Sequence, residues 1–165
     1  MATTDVTNNL ATAPPAGVRM YLQTLSYSTL ERLELINITR DINEVIRKQG
    51  VKSGLTLIQT MHTTSAVFIN EFQQALLDDM KSLLEKIVGR FDYWRHNDPQ
   101  HSDCDRHNAD AHLRAMMLGH TLSLPVRNGA LVLGYWQSVI FAELDGPRER
   151  TLQVQILGMV EELGE

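Results

Sequence analysis

The stretch Thr121–Val160, TLSLPVRNGALVLGYWQSVIFAELDGPRERTLQVQILGMV, carries the fold decision. Thr121–Val126 and Ala130–Leu133 are short apolar runs on either side of Arg127-Asn128-Gly129. Asn-Gly between such runs signals a tight hairpin, because both residues accept the positive φ that the turn demands. Tyr135–Glu143 and Thr151–Val160 are two more runs, set apart by Asp145-Gly146-Pro147. Proline and glycine together punctuate a chain rather than continue it. A last third made only of strands predicts antiparallel pairing.

Upstream the pattern alternates between the two periods. Met20–Leu25 and Arg32–Ile38 read as strands. Ile38, Ile42, Val45 and Ile46 follow helical spacing, with Thr39 as the expected cap and Gly50 as the stop. Leu55–His62 and Ala66–Glu71 read as strands. Leu76, Leu77, Met80, Leu83, Leu84, Ile87 and Val88 then recur at three- and four-residue steps, and Gly89 ends that helix. A third helix is expected over Ala109–Leu118, with Asn108 as N-cap and Gly119 as terminator. About seven strands and three helices, unevenly grouped, predict an α+β fold: one compact domain with a large, mostly antiparallel sheet.

The 165 residues suit one domain and are too few for an eight-fold β/α barrel of about 250. Fifteen Lys and Arg against 20 Asp and Glu leave no basic footprint, so no nucleic-acid partner is expected. No apolar run approaches the roughly 18 residues of a membrane helix, so no membrane partner is expected either. Cys104 is the lone cysteine, which excludes an internal disulfide and suits a cytoplasmic setting. Residues 1–17 are rich in Thr, Asn, Ala and Pro, without the basic and apolar regions of a secretory signal. They are expected to form a flexible tail before a domain over 18–165.

The informative residues are those that core-building does not explain. Alternation along Tyr135–Glu143 places Gln137, Val139, Phe141 and Glu143 on one face. A buried carboxylate there needs a partner, so Glu143 pairs with an arginine, faces solvent at the strand end, or floors a pocket. His62 is followed by Thr63, Thr64 and Ser65, whose hydroxyls can cap a turn or donate to phosphate oxygens. Asn70 and Glu71 end the next run. His112 lies on or beside the apolar face of the third helix. Five of the six histidines fall between His96 and His120, and imidazole is the commonest zinc ligand. Two metal arrangements compete: a local one from His101, Cys104 and His107, and a dispersed one from His62, His96 and His112.

Several ordered motifs together resemble the YjbQ family, also labelled secondary thiamine-phosphate synthase. They are His62-Thr63-Thr64-Ser65-Ala66, Ile69-Asn70-Glu71, Leu77-Asp78-Asp79-Met80, His96-Asn97-Asp98 and Asn108-Ala109-Asp110-Ala111-His112. Leu118-Gly119, Leu124-Pro125-Val126, Leu133-Gly134-Tyr135-Trp136-Gln137 and Glu143-Leu144-Asp145-Gly146-Pro147-Arg148 with Arg150 continue the series. The resemblance runs from about Met20 to Met159, and departs at Tyr135, where a small residue such as Thr is expected. It implies a compact α+β homotrimer whose pocket gathers His62, His96 and His112. The implied reaction joins a pyrimidine methyl diphosphate to a thiazole phosphate, giving thiamine phosphate and pyrophosphate. Glu71, Asp79 and Glu143 are then the catalytic candidates. Thr63, Thr64, Asn70, Asn108, Gln137, Arg148 and Arg150 would hold the small phosphorylated metabolite. Two roles stay open for the histidines: His62, His96 and His112 suit a divalent metal such as zinc, or they bind phosphate directly as imidazolium; magnesium suits Asp79 or Glu71. The alternative expectation is a trimer that binds a metal or such a metabolite without turnover.

Overall fold

The computed structural model describes residues 17–160. Apart from Gly17, the expected tail lies outside the described residues. The element order is β1 (Val18–Ser28), β2 (Glu34–Asn37), α1 (Thr39–Lys48), β3 (Val51–Thr60), β4 (Ser65–Asn70) and α2 (Gln74–Ile87). A single 3-10 turn follows at Arg95–Asn97. The remainder is α3 (Ala109–Leu118), β5 (Thr121–Arg127), β6 (Ala130–Leu131), β7 (Ser138–Glu143) and β8 (Glu149–Val160). The α+β class is the one expected, but the strands divide between two antiparallel sheets. One has the order β1-β8-β3-β5-β6 and the other β2-β7-β4.

The division follows from β7. Val139 to Glu143 are all buried, so this strand has no solvent face. Alternate side chains therefore serve two cores. Val139 and Phe141 join Ile42, Ile46, Ile58 and Val154 in the core between the two sheets and α1. Ile140 and Ala142 join Leu77, Leu84, Ala111 and Ala115 in the core under α2 and α3. Both edges of β7 are taken, by β2 and β4, so it cannot also pair as a hairpin with β8, which pairs with β1 and β3 instead. Asp145-Gly146-Pro147 is thus a crossing between sheets.

The Asn128-Gly129 hairpin forms as expected, with φ of 53° and 75°. Other local expectations move. Tyr135–Gln137 is a turn, and β7 starts only at Ser138, because the Gln137 Oε1 accepts the Gly134 N–H at 2.7 Å. Thr39 does not cap α1. Ile38 holds the cap position, the Asn37 Oδ1 takes the Thr39 N–H, and the Thr39 Oγ1 takes the Val139 N–H. Gly54 and Gly158 face each other across β3 and β8, where a Cβ on Gly54 would strike the Leu157 carbonyl oxygen. Two strands meet there without side chains between them.

The five-stranded sheet turns one face to the core. Its other face carries Met20, Leu22, Leu55, Leu157 and Met159, all exposed. Leu157 sits opposite both Met20 and Leu55, so these residues form one apolar stripe across three strands. Among the described residues no helix is long and apolar enough to cross a membrane.

Candidate active site at the histidine pair

The long segment between α2 and α3 is stitched to itself and to both helices. The Trp94 indole N–H donates to the Gly89 carbonyl at 3.0 Å, and the Tyr93 hydroxyl donates to Asp98 at 2.8 Å. The His107 Nδ1 meets the Asn97 carbonyl at 2.8 Å, and the Asn97 Oδ1 accepts the Ala109 N–H at 3.0 Å. Asn97 therefore satisfies one of the free amides at the start of α3. Asn108 sits at the cap position, but its side chain is turned to Asp145. This stitching lays His96 against α3, edge-on to His112, with ring centroids 5.1 Å apart at 85°. The two imidazoles border a cavity of about 360 Å³ walled by Trp94, Arg95, Ala109 and Leu113. Burial pushes the His112 pKa below its ordinary 6.5, and His96 pushes the same way, against the pull of Asp145 and Asp110. The neutral ring can accept a proton.

Beside the pair lies a cluster of ions. Asp145 is fully buried and accepts from the Arg32 Nη1 at 2.6 Å, the Asn108 Nδ2 at 2.8 Å, the Arg106 Nε at 3.0 Å and the Arg148 Nη2 at 3.1 Å. Asp110, in the first turn of α3, takes the Arg32 Nη2 at 3.0 Å and lies 3.5 Å from the Arg114 Nη1. Arg114 also donates to the Val88 carbonyl and to Glu85, which ties α3 to the end of α2.

Glu143 realises the arginine-pairing reading and not the pocket-floor one. The Arg150 Nε and Nη2 donate to its two oxygens at 2.6 and 2.5 Å. The Asp145 N–H and the Thr29 hydroxyl add 2.8 and 3.1 Å bonds. Arg150 is 1% exposed, and its Nη2 also donates to the Thr64 Oγ1 at 2.9 Å. Glu143, Arg150 and buried Thr64 thus bond one another and present nothing to a solute. Their role is to join β4, β7 and β8.

His62 has different company from the histidine pair. Its Nε2 accepts the Thr151 N–H at 2.9 Å, which leaves the ring proton on Nδ1. Burial pushes its pKa down, as does Arg150, while Glu143 pulls it up. Among the described residues, no group of three or more His, Cys, Asp or Glu side chains is placed to hold a metal ion. Zinc in proteins takes three or four such ligands, so the dispersed three-histidine cage is not assembled within this chain. The local alternative separates too: His101 turns to Asp98, Cys104 to Asn108 and His107 to the Asn97 carbonyl. Asp79 and Asn70 line another cavity, of about 420 Å³, along α2. Glu71 is half-buried just past β4, and Thr63 and Gln137 are exposed. Arg32, Arg106, Asp110 and Asp145 were not among the expected site residues. Asp110 and Asp145 lie inside family-like motifs, whereas Arg32 and Arg106 carry no local signal.

The family model described as UPF0047 protein YjbQ-like matches residues 23–159. A UPF0047 protein of Methanothermobacter thermautotrophicus is 42% identical over 141 residues, covering 86% of this chain and 94% of that one. The UPF0047 protein YugU of Bacillus subtilis is 38% identical, covering 83% and 99%. Among solved structures, a YjbQ-like protein of unknown function from Sulfolobus solfataricus superposes with a TM-score of 0.78 at 37% identity, covering 86% and 99%. A YjbQ/UPF0047 protein from Clostridium acetobutylicum gives 0.73 at 28% identity, covering 81% and 98%. Matches of this length, in sequence and in fold, place the chain in the YjbQ-like UPF0047 family.

Proposed function

We propose that the cavity at His96 and His112 is the reaction site of a thiamine-phosphate synthase-like enzyme. It would join a pyrimidine methyl diphosphate to a thiazole phosphate. The observation that carries this reading is the imidazole pair set against the apolar wall of Trp94 and Leu113. A flat heterocycle gains from such a wall, and a departing diphosphate gains from nearby N–H donors. In that reaction the C–O bond to the diphosphate breaks as the C–N bond to the thiazole forms. The pyrophosphate oxygens leave with the electron pair. His96 is the donor to the leaving oxygens, and neutral His112 orients it. No step is assigned to a metal, because among the described residues no ligand set for one is assembled. The test is pyrophosphate release from the two phosphorylated co-substrates. His96→Ala should lower kcat by about 10²-fold or more, and unchanged turnover would contradict the reading.

A second reading is a binding protein without turnover. It is favoured by the residues lining the cavity, which include no carboxylate, and by the engagement of Glu143 with Arg150. Saturable binding of either phosphorylated molecule without pyrophosphate release would select it. For assembly we propose a homotrimer, as the sequence resemblance implies. The apolar stripe on the five-stranded sheet supports it, since a contiguous exposed patch of this kind is usually an interface.

A further inference from the structure

We propose that Arg32, Arg106 and Arg148 form an oxyanion subsite beside the histidine pair, built to take a phosphate or diphosphate group. The inference rests on reading the neighbouring cavity as a site for a phosphorylated molecule. All three guanidiniums bond the carboxylate of Asp145, which has no solvent exposure. Their own side chains are 24%, 55% and 28% exposed in that order. Negative charge is therefore sealed below and positive charge faces out. Around Asp110 and Asp145 stand four arginines: Arg32, Arg106, Arg114 and Arg148. Arg114 is shared with Glu85, so three carboxylates meet four guanidiniums and the cluster keeps a net positive charge.

The donors also exceed their acceptors. Arg106 uses only its Nε, leaving both terminal nitrogens without a bond among the described residues. Arg148 uses only its Nη2 side-chain donor, and the Arg32 Nε is buried without a partner. A guanidinium fork with free terminal nitrogens matches two oxygens of a phosphate. Holding three like charges around one carboxylate costs repulsion, which an incoming oxyanion would relieve. Asn108 fixes the location. Its side chain donates to Asp145, and its carbonyl accepts from the His112 N–H one turn along α3. The subsite thus adjoins the cavity at Ala109 and His112.

Calorimetric titration of the full chain with inorganic pyrophosphate, and separately with inorganic phosphate, tests this. Wild type should bind pyrophosphate more tightly than phosphate and lose affinity as salt rises. Arg106→Gln and Arg148→Gln should each weaken pyrophosphate about tenfold or more, with Arg106→Lys in between. Arg40→Gln, an exposed arginine on α1 outside the cluster, should leave that affinity within about twofold. Unaltered pyrophosphate affinity in both Arg106→Gln and Arg148→Gln would overturn the subsite, whatever their melting temperatures do. So would a wild type that binds neither anion at low salt. The two readings fail separately. Arginine-dependent pyrophosphate binding without turnover keeps the subsite and removes the synthase. Turnover with kcat and KM unchanged in Arg106→Gln and Arg148→Gln keeps the synthase and removes the subsite.

Discussion

At the scale of single residues, the site is a set of polar groups whose partners decide what each can do. The family resemblance implies Glu143 as a catalytic residue and Arg150 as a substrate-binding one, yet they bond each other in the dry interior. His96 and His112 keep a cavity beside them. The two histidines with depressed pKa values, His62 and His112, set a pH response. Burial is the main cause in both, so each is neutral in the folded chain and must gain a proton in acid. The unfolded chain binds that proton near pH 6.5, whereas the folded one binds it lower. Their contribution is therefore present above 6.5 and is lost as pH falls through the folded values. Melting temperatures measured downward from pH 7 should fall through this window, and His112→Asn should flatten part of the fall. A wild-type profile that rises on acidification from pH 7 would contradict the assignment of neutral rings.

At the scale of elements, the strands and helices were legible because their periods are clean. Leu77 and Leu84 on α2, and Asn128-Gly129 between β5 and β6, are local signals, and they hold. What was not legible was long-range. Nothing within β7 says that Val139 and Ile140 serve different cores, so one sheet was expected where two form. His96 and His112 were legible as a loop and a helix-edge histidine. The acceptor role of His62 was hidden, because its donor Thr151 lies 89 residues away. The cap of α3 shows the same limit. Asn108 is the local choice, but Asn97, 12 residues from Ala109, supplies the oxygen. Asn97→Ala should then cost about 1 kcal/mol in chemical denaturation. It should also loosen the segment that carries His96. An Asn97→Ala protein as stable as wild type, with His96 equally ordered, would show that the cap does not position the site.

At the scale of the whole molecule, one face of the five-stranded sheet is covered by the core and the other is exposed among the described residues. The stripe through Leu55 and Leu157 is 46% and 47% exposed in the single chain, which is a cost in water unless another copy covers it. Light scattering should give three times the 18.7 kDa chain mass. Leu157→Glu should shift that value toward one chain, because burying an unpaired carboxylate at a contact is unfavourable. A wild type that scatters as one chain would remove the trimer. A crystal structure with thiamine phosphate bound shows whether the cavity at the histidine pair is the reaction site. The heterocycle is expected against Trp94 and Leu113, beside the contacting pair His96 and His112, with phosphate oxygens on Arg106 and Arg148. A ligand seated instead in the Asn70–Asp79 cavity, with the histidine pair empty, would contradict it.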